Sequence, residues 1–304
     1  MLRTNSDVHV EVAVAAPEDQ GSPIRPSHIP NPARMYDYCL GGKDNYAADR
    51  EAVLAVCAQI PEALDVPRDN RLFLYRAVRF LARDAGIRQF IDMGSGLPTQ
   101  ANVHEVARQF RLDARVVYVD NDPVVLAHGR ALLANDESTT VITADISEAE
   151  KILADPEVRR LIDFSQPVAV LYLSVAHFIT DDATVDKMLS TVVDALVPGS
   201  YVACSQIVGV DQETVEHSNE LMRKRGVPWK NRTRAEVLSF LRGLEPVEPG
   251  LVNVKDWRPD PTQPPLAPVA EPLRPYLGGS AENEDFMQFG GVLRHTGARQ
   301  GLRA

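Results

Sequence analysis

A glycine-rich turn and three aspartates are the residues of this sequence whose types and spacing could do chemistry. The apolar stretch 89–93 contains Asp92 and leads into a Gly-Ser-Gly turn at 94–96. Two later apolar stretches end at Asp120 and just before Asp145. Glycine lets the backbone come close to a ligand, and a helix that starts after such a turn offers unpaired N–H groups. The pattern therefore indicates a binding site for a nucleotide-containing ligand.

A repeating α/β pattern must position these side chains. Apolar stretches of strand character alternate with helical periodicity from residue 89 onwards, and they cover 89–93, 115–120, 140–143, 168–173, 201–208, 251–254 and 286–294. Such alternation predicts a doubly wound, mostly parallel sheet. The carboxyl ends of its parallel strands meet at one edge, where open α/β sheets bind their ligands. We therefore expect Asp92, Asp120 and Asp145 to lie together at that edge.

The turn differs from the dinucleotide-binding version at its third glycine position. Thr99 stands there and Pro98 precedes it, and proline lacks the N–H that a diphosphate would use. Asp120 could accept both hydroxyls of a ribose, and Asp145 with Ile146 could meet the amino group and the ring of an adenine. The residues favour an adenosine ligand without a diphosphate. An NAD-type oxidoreductase and a tight turn without a ligand stay open as alternatives.

Several longer segments resemble one family of proteins. They are PARMYDYCLGGKDNYAADREA from residue 32, RQFIDMGSGLPT from residue 88, ARVVYVDNDPVVLAHGRALL from residue 114 and VPGSYVACSQ from residue 197. Over roughly residues 29–294 the sequence is similar to the S-adenosyl methyltransferase family whose members mostly have no assigned substrate. The resemblance implies a Rossmann-like methyltransferase sheet of seven strands in the order 3-2-1-4-5-7-6, with the last strand antiparallel, and a helical N-terminal extension.

The resemblance also implies S-adenosylmethionine as the cofactor. The loop 92–96 would face its amino-acid portion, Asp120 its ribose, and Asp145 with Ile146 its adenine. Its positive sulfonium would suit an acidic edge. The predicted cofactor-binding residues are Arg34, Tyr36, Gly42, Asn45, Asp92, Gly94, Ser95, Gly96, Thr99, Asp120, Asn121, Asp145, Ile146 and Ser174.

The segment 34–46 precedes the sheet and is dense in aromatic, charged and glycine residues. One interpretation is a lid over the cofactor, in which Arg34 meets the methionine carboxylate and aromatic rings surround the sulfonium by cation–π contact. The alternative is a packed N-terminal turn that uses Arg34 and Asp37 as an ion pair. The family resemblance favours the lid.

His177 and Tyr46 are the predicted catalytic residues. His177 comes just after the fourth strand, beside the expected methyl group, where it could deprotonate a hydroxyl or amine nucleophile. Alternatively His177 is a shelf for the cofactor or a packing residue at the edge of the core. No base is obligatory, because proximity and orientation alone can drive methyl transfer. The predicted reaction is in-line transfer to an O, N or C nucleophile of a small-molecule acceptor. A non-catalytic protein that binds S-adenosylmethionine is the other possibility.

Charge and motif content argue against a nucleic-acid substrate. The formal net charge of −10 argues against a nucleic-acid binder, which presents a basic field to phosphate. The residues 174–177 also lack the Asn/Asp-Pro-Pro-aromatic motif of enzymes that methylate amino groups of bases. No metal-ligand pattern is present in the sequence. The basic residues between Arg223 and Arg234 surround Trp229 and predict either a solvated helix end or a cap for an acidic substrate.

The chain divides by composition into four parts. We expect a mobile tail at 1–27, a helical extension at 28–86, the cofactor-binding domain at 87–296 and a short tail at 297–304. The proline-rich run 258–275 predicts an extended surface loop. The three cysteines form no CxxC pair, and no apolar run reaches the length of a membrane span, so a cytoplasmic protein without membrane contact is expected. The oligomeric state and the acceptor are not determined at this level.

Overall fold

One mixed sheet carries the candidate site. The computed structural model describes residues 30–98, 101–132, 136–281 and 285–297. Within these residues the strands are β1 Gln89–Met93, β2 Arg115–Asp120, β3 Thr139–Thr143, β4 Ala169–Leu173, β5 Tyr201–Gly209, β6 Leu244–Pro246, β7 Val252–Asn253 and β8 Phe286–His295. The α-helices are α1 Pro32–Cys39, α2 Ala47–Cys57, α3 Asp65–Arg79, α4 Val103–Arg108, α5 Pro123–Leu132, α6 Ala149–Ala154, α7 Pro156–Leu161, α8 Asp182–Ala195, α9 Gln212–Arg223 and α10 Arg234–Phe240.

The strand order is β3-β2-β1-β4-β5-β8-β6, and β7 also pairs with β8. Strands β1 to β5 are parallel to their neighbours, whereas β8 runs antiparallel to β5, β6 and β7. The predicted α/β class and the predicted order with a reversed strand beside β5 are confirmed. The edge position is shared by two short strands, β6 and β7, because Pro246 and Pro249 lack the N–H that a continuous ladder needs.

The central strands are buried on both faces. Every residue of β1 and β4 is buried, as parallel strands covered by helices require. Ile91 and Met93 belong to the core that α6 to α8 cover, whereas Phe90 belongs to the opposite core with α3 and α4. By the alternation of side chains along a strand, Asp92 faces the side of α3.

The N-terminal helices are tied together by one buried carboxylate. Asp49 is fully buried and accepts hydrogen bonds from the Nε of Arg34 and from the backbone N–H groups of Asn31 and Tyr46, at 2.8 Å each. Asn31 caps α1 by accepting from the amides of residues 33 and 34. The ion pair of Arg34 is therefore made with Asp49 and not with Asp37.

Helix α3 joins this extension to the sheet. Its residue Phe73 is fully buried in the core that also contains Phe90 of β1. The division of the chain at residue 86 remains a proposal. The expected tails fall mainly on residues 1–29 and 298–304, which lie outside the described residues. Within the described ranges, no helix is both long and apolar enough to cross a membrane.

The proline-rich run packs on the N-terminal helices and is not a free surface loop. Val269 and Leu273 are buried in a cluster with residues of α1 and α2, and Arg68 donates to the carbonyl of Ala267 at 3.3 Å. Just before this run, the fully buried Trp257 lies edge-on to Phe73, with ring centroids 5.4 Å apart. The segment thus fixes α3 against the sheet.

We expect Trp257→Ala to destabilise the fold by about 3–5 kcal/mol, because it opens a large cavity beside α3. Urea unfolding monitored by circular dichroism would measure the loss. The control is Leu238→Ala, since Leu238 is 47% exposed, and this variant should change the free energy of unfolding by less than about 0.5 kcal/mol. A Trp257→Ala protein as stable as the control would contradict this packing role.

Candidate functional site

A cavity of about 690 Å³ opens at the carboxyl edge of the sheet. It is lined by the ends of β1 to β5, by the start of β8 and by residues of α1, α2, α3 and α9. The predicted site residues that line it are Tyr36, Asp92, Gly94, Ser95, Gly96, Asp120, Asn121, Asp145, Ile146, Ser174 and His177. Thr99 lies outside the described residues. The volume is within the range of about 300–1,000 Å³ that small-molecule sites occupy.

The glycine turn is held against the end of β2. The amides of Gly94 and Ser95 donate to the carbonyl of Val119, at 2.7 and 3.1 Å, and the amide of Gly96 donates to the Asp120 carboxylate at 2.8 Å. Gly94 has a φ of +76°, and a Cβ there would lie 2.6 Å from a methyl group of Val175. The turn therefore requires glycine at 94 for its backbone conformation and for its close contact with the loop after β4.

The space beside Gly96 is open enough for a ligand. A Cβ placed on Gly96, whose φ is +65°, would meet no atom within 4 Å. Open space thus lies directly beside the turn, with Asp120 hydrogen-bonded at its edge. Asp120 also accepts from the amide of Asp122 at 3.0 Å, so two backbone N–H groups orient its carboxylate. The turn and Asp120 together fit an adenosyl group placed against the edge.

A buried acid and a buried arginine lie behind the turn. Burial raises the pKa of Asp92 to about 7, Arg71 opposes this shift, and Asp120 adds to it. Arg71 of α3 is 8% exposed and donates to the side chain of Asn102 at 3.3 Å. Among the described residues that line the cavity, Arg71 is the single arginine or lysine. It therefore supplies the positive charge at this edge.

Arg71 is not among the site residues that the sequence predicts. A signal was available, because Arg71 occupies the same helical face as the buried residues Leu74, Tyr75 and Val78. A charged residue within the apolar stripe of a helix indicates a buried partner or a site.

A buried hydrogen-bond network supports the floor of the cavity. The Asn70 amide donates to the Tyr36 hydroxyl at 2.8 Å, and the Ser205 hydroxyl donates to the Asn70 carbonyl oxygen at 2.6 Å. Gln288 of β8 and the amide of Ser174 both donate to the Ser205 hydroxyl at 3.0 Å. Burial raises the pKa of Tyr36 to about 12, so its phenol is neutral. The network joins α1, α3, β5 and β8.

Four predicted site residues are not among the described residues that line the cavity: Arg34, Gly42, Asn45 and Tyr46. The guanidinium of Arg34 lies 5.1 Å from the ring centroid of Tyr46, and the Asn45 amide donates to Asp37 at 2.8 Å. Gly42 packs so closely on Asp37 that a Cβ would overlap the carboxylate. These contacts resemble the packed N-terminal turn more than a lid, and roles in cofactor binding or catalysis stay predictions.

His177 forms part of an aromatic wall. It is 1% exposed, and its ring centroid lies 4.4 Å from that of Phe178 and 4.2 Å from that of Trp229. Burial, with a smaller contribution from Arg232, lowers the pKa of His177 to about 3. The imidazole is therefore neutral and a weak base, which favours the packing role over general-base catalysis.

The basic residues between Arg223 and Arg234 do not face the cavity. Arg232 is fully buried and donates to Asp182 and to the carbonyls of Ala176 and Ile179. Lys230 also pairs with Asp182, at 2.7 Å. None of the basic side chains of this cluster is among the described lining residues. Arg232 instead holds the turn after β4 that carries His177.

The sheet order with its reversed strand, and the acidic ligand edge, define the class of Rossmann-like methyltransferases. The sequence matches the family described as S-adenosyl methyltransferase over residues 18–296. The chain belongs to that family, and membership identifies S-adenosylmethionine as its cofactor.

Known proteins agree with this assignment. A crystal structure of a candidate methyltransferase from Thermobifida fusca YX is 42% identical, with a TM-score of 0.76, and the match covers 88% of this chain and 96% of that one. A DUF574 family protein from Streptomyces avermitilis is 37% identical over 88% of this chain and 97% of that one, with a TM-score of 0.75. A Mycobacterium ulcerans protein, named as a candidate S-adenosyl-L-methionine-dependent methyltransferase, is 28% identical over 180 residues, which is 57% of this chain. The chain spans 53% of the length of that relative.

We expect Asp92 to make stability depend on pH. The pKa of Asp92 is about 7 in the folded chain and about 3.9 in an unfolded chain, so the folded state binds the extra proton between these values. Stability should therefore fall as pH rises from 5 to 7, by at most about 1.4 kcal/mol per pH unit relative to Asp92→Asn. Urea unfolding of both proteins at pH 5, 6 and 7 measures this difference. A difference that stays constant with pH would contradict the buried, protonated Asp92.

Proposed function

We propose that the chain is an S-adenosylmethionine-dependent methyltransferase that transfers a methyl group in line to an O, N or C nucleophile of a small-molecule acceptor. One observation carries this proposal. Asp92, Asp120 and Asp145 line the same cavity as the glycine turn, and this cavity continues past the end of β4. The part of the cavity that would hold the cofactor, the cofactor half, and free space for an acceptor thus lie at the same edge of the sheet.

The cofactor would be held by residues of four elements. Asp120, oriented by two backbone amides, would accept the ribose hydroxyls. Ile146, half-buried beside the exposed Asp145, would lie against the adenine. The remaining predicted contacts, from Asn121, Ser95 and Ser174, belong to the same lining.

Arg71 would receive the methionine carboxylate. This role was predicted for Arg34, but the Nε of Arg34 is engaged by Asp49 at 2.8 Å, whereas Arg71 lines the cavity. A guanidinium can bind a carboxylate through two parallel hydrogen bonds. The carboxylate would thus lie between α3 and the turn after β1.

The bound cofactor supplies a methyl group on a positive sulfonium. The acidic edge favours a cation, and the walls place an acceptor beside it, so that proximity and orientation lower the barrier. Tyr36 and His177 are both neutral at working pH and would shape the site without exchanging protons. The reaction then needs no ionised base from these two residues.

Two alternatives make different predictions. A protein that only binds the cofactor should be closed above the methyl group, whereas Tyr36 and His177 line an open cavity here. An NAD-type oxidoreductase should hold a diphosphate at the turn, where Pro98 removes a donor.

We also propose a cytoplasmic location, which fits the three free cysteines, and no nucleic-acid partner, which fits the net charge of −10.

Titration calorimetry tests the proposal directly. S-adenosylmethionine and S-adenosylhomocysteine should both bind, and NAD should not. The proposal fails if neither adenosyl compound binds at millimolar concentration. Binding of NAD alone would establish the oxidoreductase alternative.

Asp120→Ala should weaken S-adenosylhomocysteine binding by about tenfold or more, since hydrogen bonds to a charged group contribute roughly 1.5–3 kcal/mol. The control is Asp113→Ala, because Asp113 is an exposed acid outside the cavity lining. Calorimetry on both variants gives the comparison. An unchanged affinity in Asp120→Ala would remove Asp120 from the ribose site.

Arg71→Gln should weaken binding of the methionine carboxylate and leave binding of the adenosyl part unchanged. The wild-type chain should bind S-adenosylhomocysteine about tenfold or more tighter than 5′-methylthioadenosine, which lacks the amino-acid part, because of the charge-assisted pair. In Arg71→Gln this preference should disappear while the affinity for 5′-methylthioadenosine persists. A preference that survives the substitution would assign the carboxylate to another group.

A further inference from the structure

The half of the cavity beyond β4 has an apolar lining. Ile60, Leu221 and Phe286 form a buried apolar cluster, joined by Ala63 and Ile207, that is separate from the two cores of the sheet. All five residues line the cavity. They come from the segment after α2, from α9, and from the adjacent ends of β5 and β8. These residues therefore give this end of the cavity an apolar wall.

This surface extends along both walls. Val53, Val56 and Cys57 of α2 continue it on one side, and Met222 with Val227 continues it on the other. We call the space between these walls the acceptor chamber. The Cys57 thiol is neutral, because burial raises its pKa to about 12.

Charge is distributed unevenly along the cavity. Its carboxylates belong to Asp37 of α1 and to the ends of β1, β2 and β3, and its guanidinium belongs to α3. Among the described residues, the walls of the acceptor chamber contain no Asp, Glu, Lys or Arg. A charged acceptor would lose its hydration there without gaining a counter-ion, which is unfavourable.

The aromatic wall contains two polar atoms that the cavity does not reach. Nδ1 of His177 and Nε1 of Trp229 are both buried, and neither has a hydrogen-bond partner among the described residues. Both side chains line the cavity. Both atoms are enclosed by protein, so a ligand in the cavity meets the two rings and not these nitrogens.

The chamber begins beside the cofactor half. Strand β4 pairs directly with β1, and the loop after β4 contacts Gly94 of the glycine turn. Neighbouring strands are about 4.8 Å apart, so β8 lies roughly 10 Å from β4 across the sheet. An acceptor that fills the chamber would therefore span the distance of a ring system of two or three rings.

We propose that the acceptor is an uncharged, mainly apolar ring compound bound between α2 and α9. This inference rests on the proposed function and specifies its substrate class. It also opposes an acidic acceptor, because the basic residues from Arg223 to Arg234 lie outside the chamber.

Two fluorescent probes of one skeleton test this assignment. N-phenyl-1-naphthylamine is neutral, and 1-anilinonaphthalene-8-sulfonate adds one negative charge to the same rings. With the full chain and saturating S-adenosylhomocysteine, the neutral probe should bind at least about tenfold tighter, since the chamber offers apolar surface without a cation. Equal or tighter binding of the sulfonate would overturn the proposal.

A charge introduced into the chamber tests whether the probe binds there. Val56 lines the chamber and belongs to none of the buried core clusters, so Val56→Lys should fold normally. It should lower the affinity for the neutral probe by about tenfold and raise the affinity for the sulfonate, because it adds a cation to the chamber. The matched control is Ala55→Lys, because Ala55 is exposed on the same helix and is not a lining residue. Unchanged neutral-probe affinity in Val56→Lys would place the probe elsewhere and overturn the proposal.

Calorimetry with S-adenosylhomocysteine distinguishes a failure of the proposed function from a failure of the proposed acceptor class. If S-adenosylhomocysteine fails to bind while the neutral probe binds at Val56, the methyltransferase proposal fails and the apolar chamber stands. If S-adenosylhomocysteine binds and the neutral probe does not, the acceptor class is wrong and the proposed function stands.

Discussion

The parallel pairing of β1 with β2 and β4 is the constraint on which the rest of this structure depends. It brings the carboxyl ends of the three strands to one edge, and the amides of the glycine turn then hydrogen-bond to the end of β2. The ligand edge is therefore built by backbone geometry before any specific side chain acts. Side chains then divide this edge into an acidic half and an apolar half.

Desolvation determines the protonation states around the cavity. Burial raises the pKa of Asp92 and Tyr36 and lowers that of His177, so each shift favours the neutral form. Burial also raises the pKa of Asp120, although the amides of Gly96 and Asp122 oppose this shift, and a bound cation would favour its charged form. The acidic half thus attracts a cation, while the wall beside it stays neutral. This separation suits a positive methyl donor placed beside an uncharged acceptor.

The N-terminal helices and α9 cover this edge from opposite sides. Asp49 joins α1 to α2, the Asn70–Ser205 pair joins α3 to β5, and Arg232 fixes the turn after β4. Each of these buried polar groups has its charge or hydrogen-bonding capacity satisfied across a long sequence separation. Removing one partner leaves the other buried and unpaired, which is costly. These contacts hold the elements around the cavity together.

The sequence alone determined the α/β alternation and the three aspartates at the edge, because apolar periodicity and strand-end residues are local patterns. The reversed last strand was expected only from the family resemblance. The sequence did not reveal Arg71, the Ser205 network or the split edge strand. It also assigned Arg34 to the cofactor and left the basic residues near Trp229 open to an acidic substrate. Only the tertiary structure decided these points, since the partner of a buried charge is set by which helices pack together. Arg34 meets Asp49 and Arg232 meets Asp182, whereas α3 turns Arg71 towards the cavity.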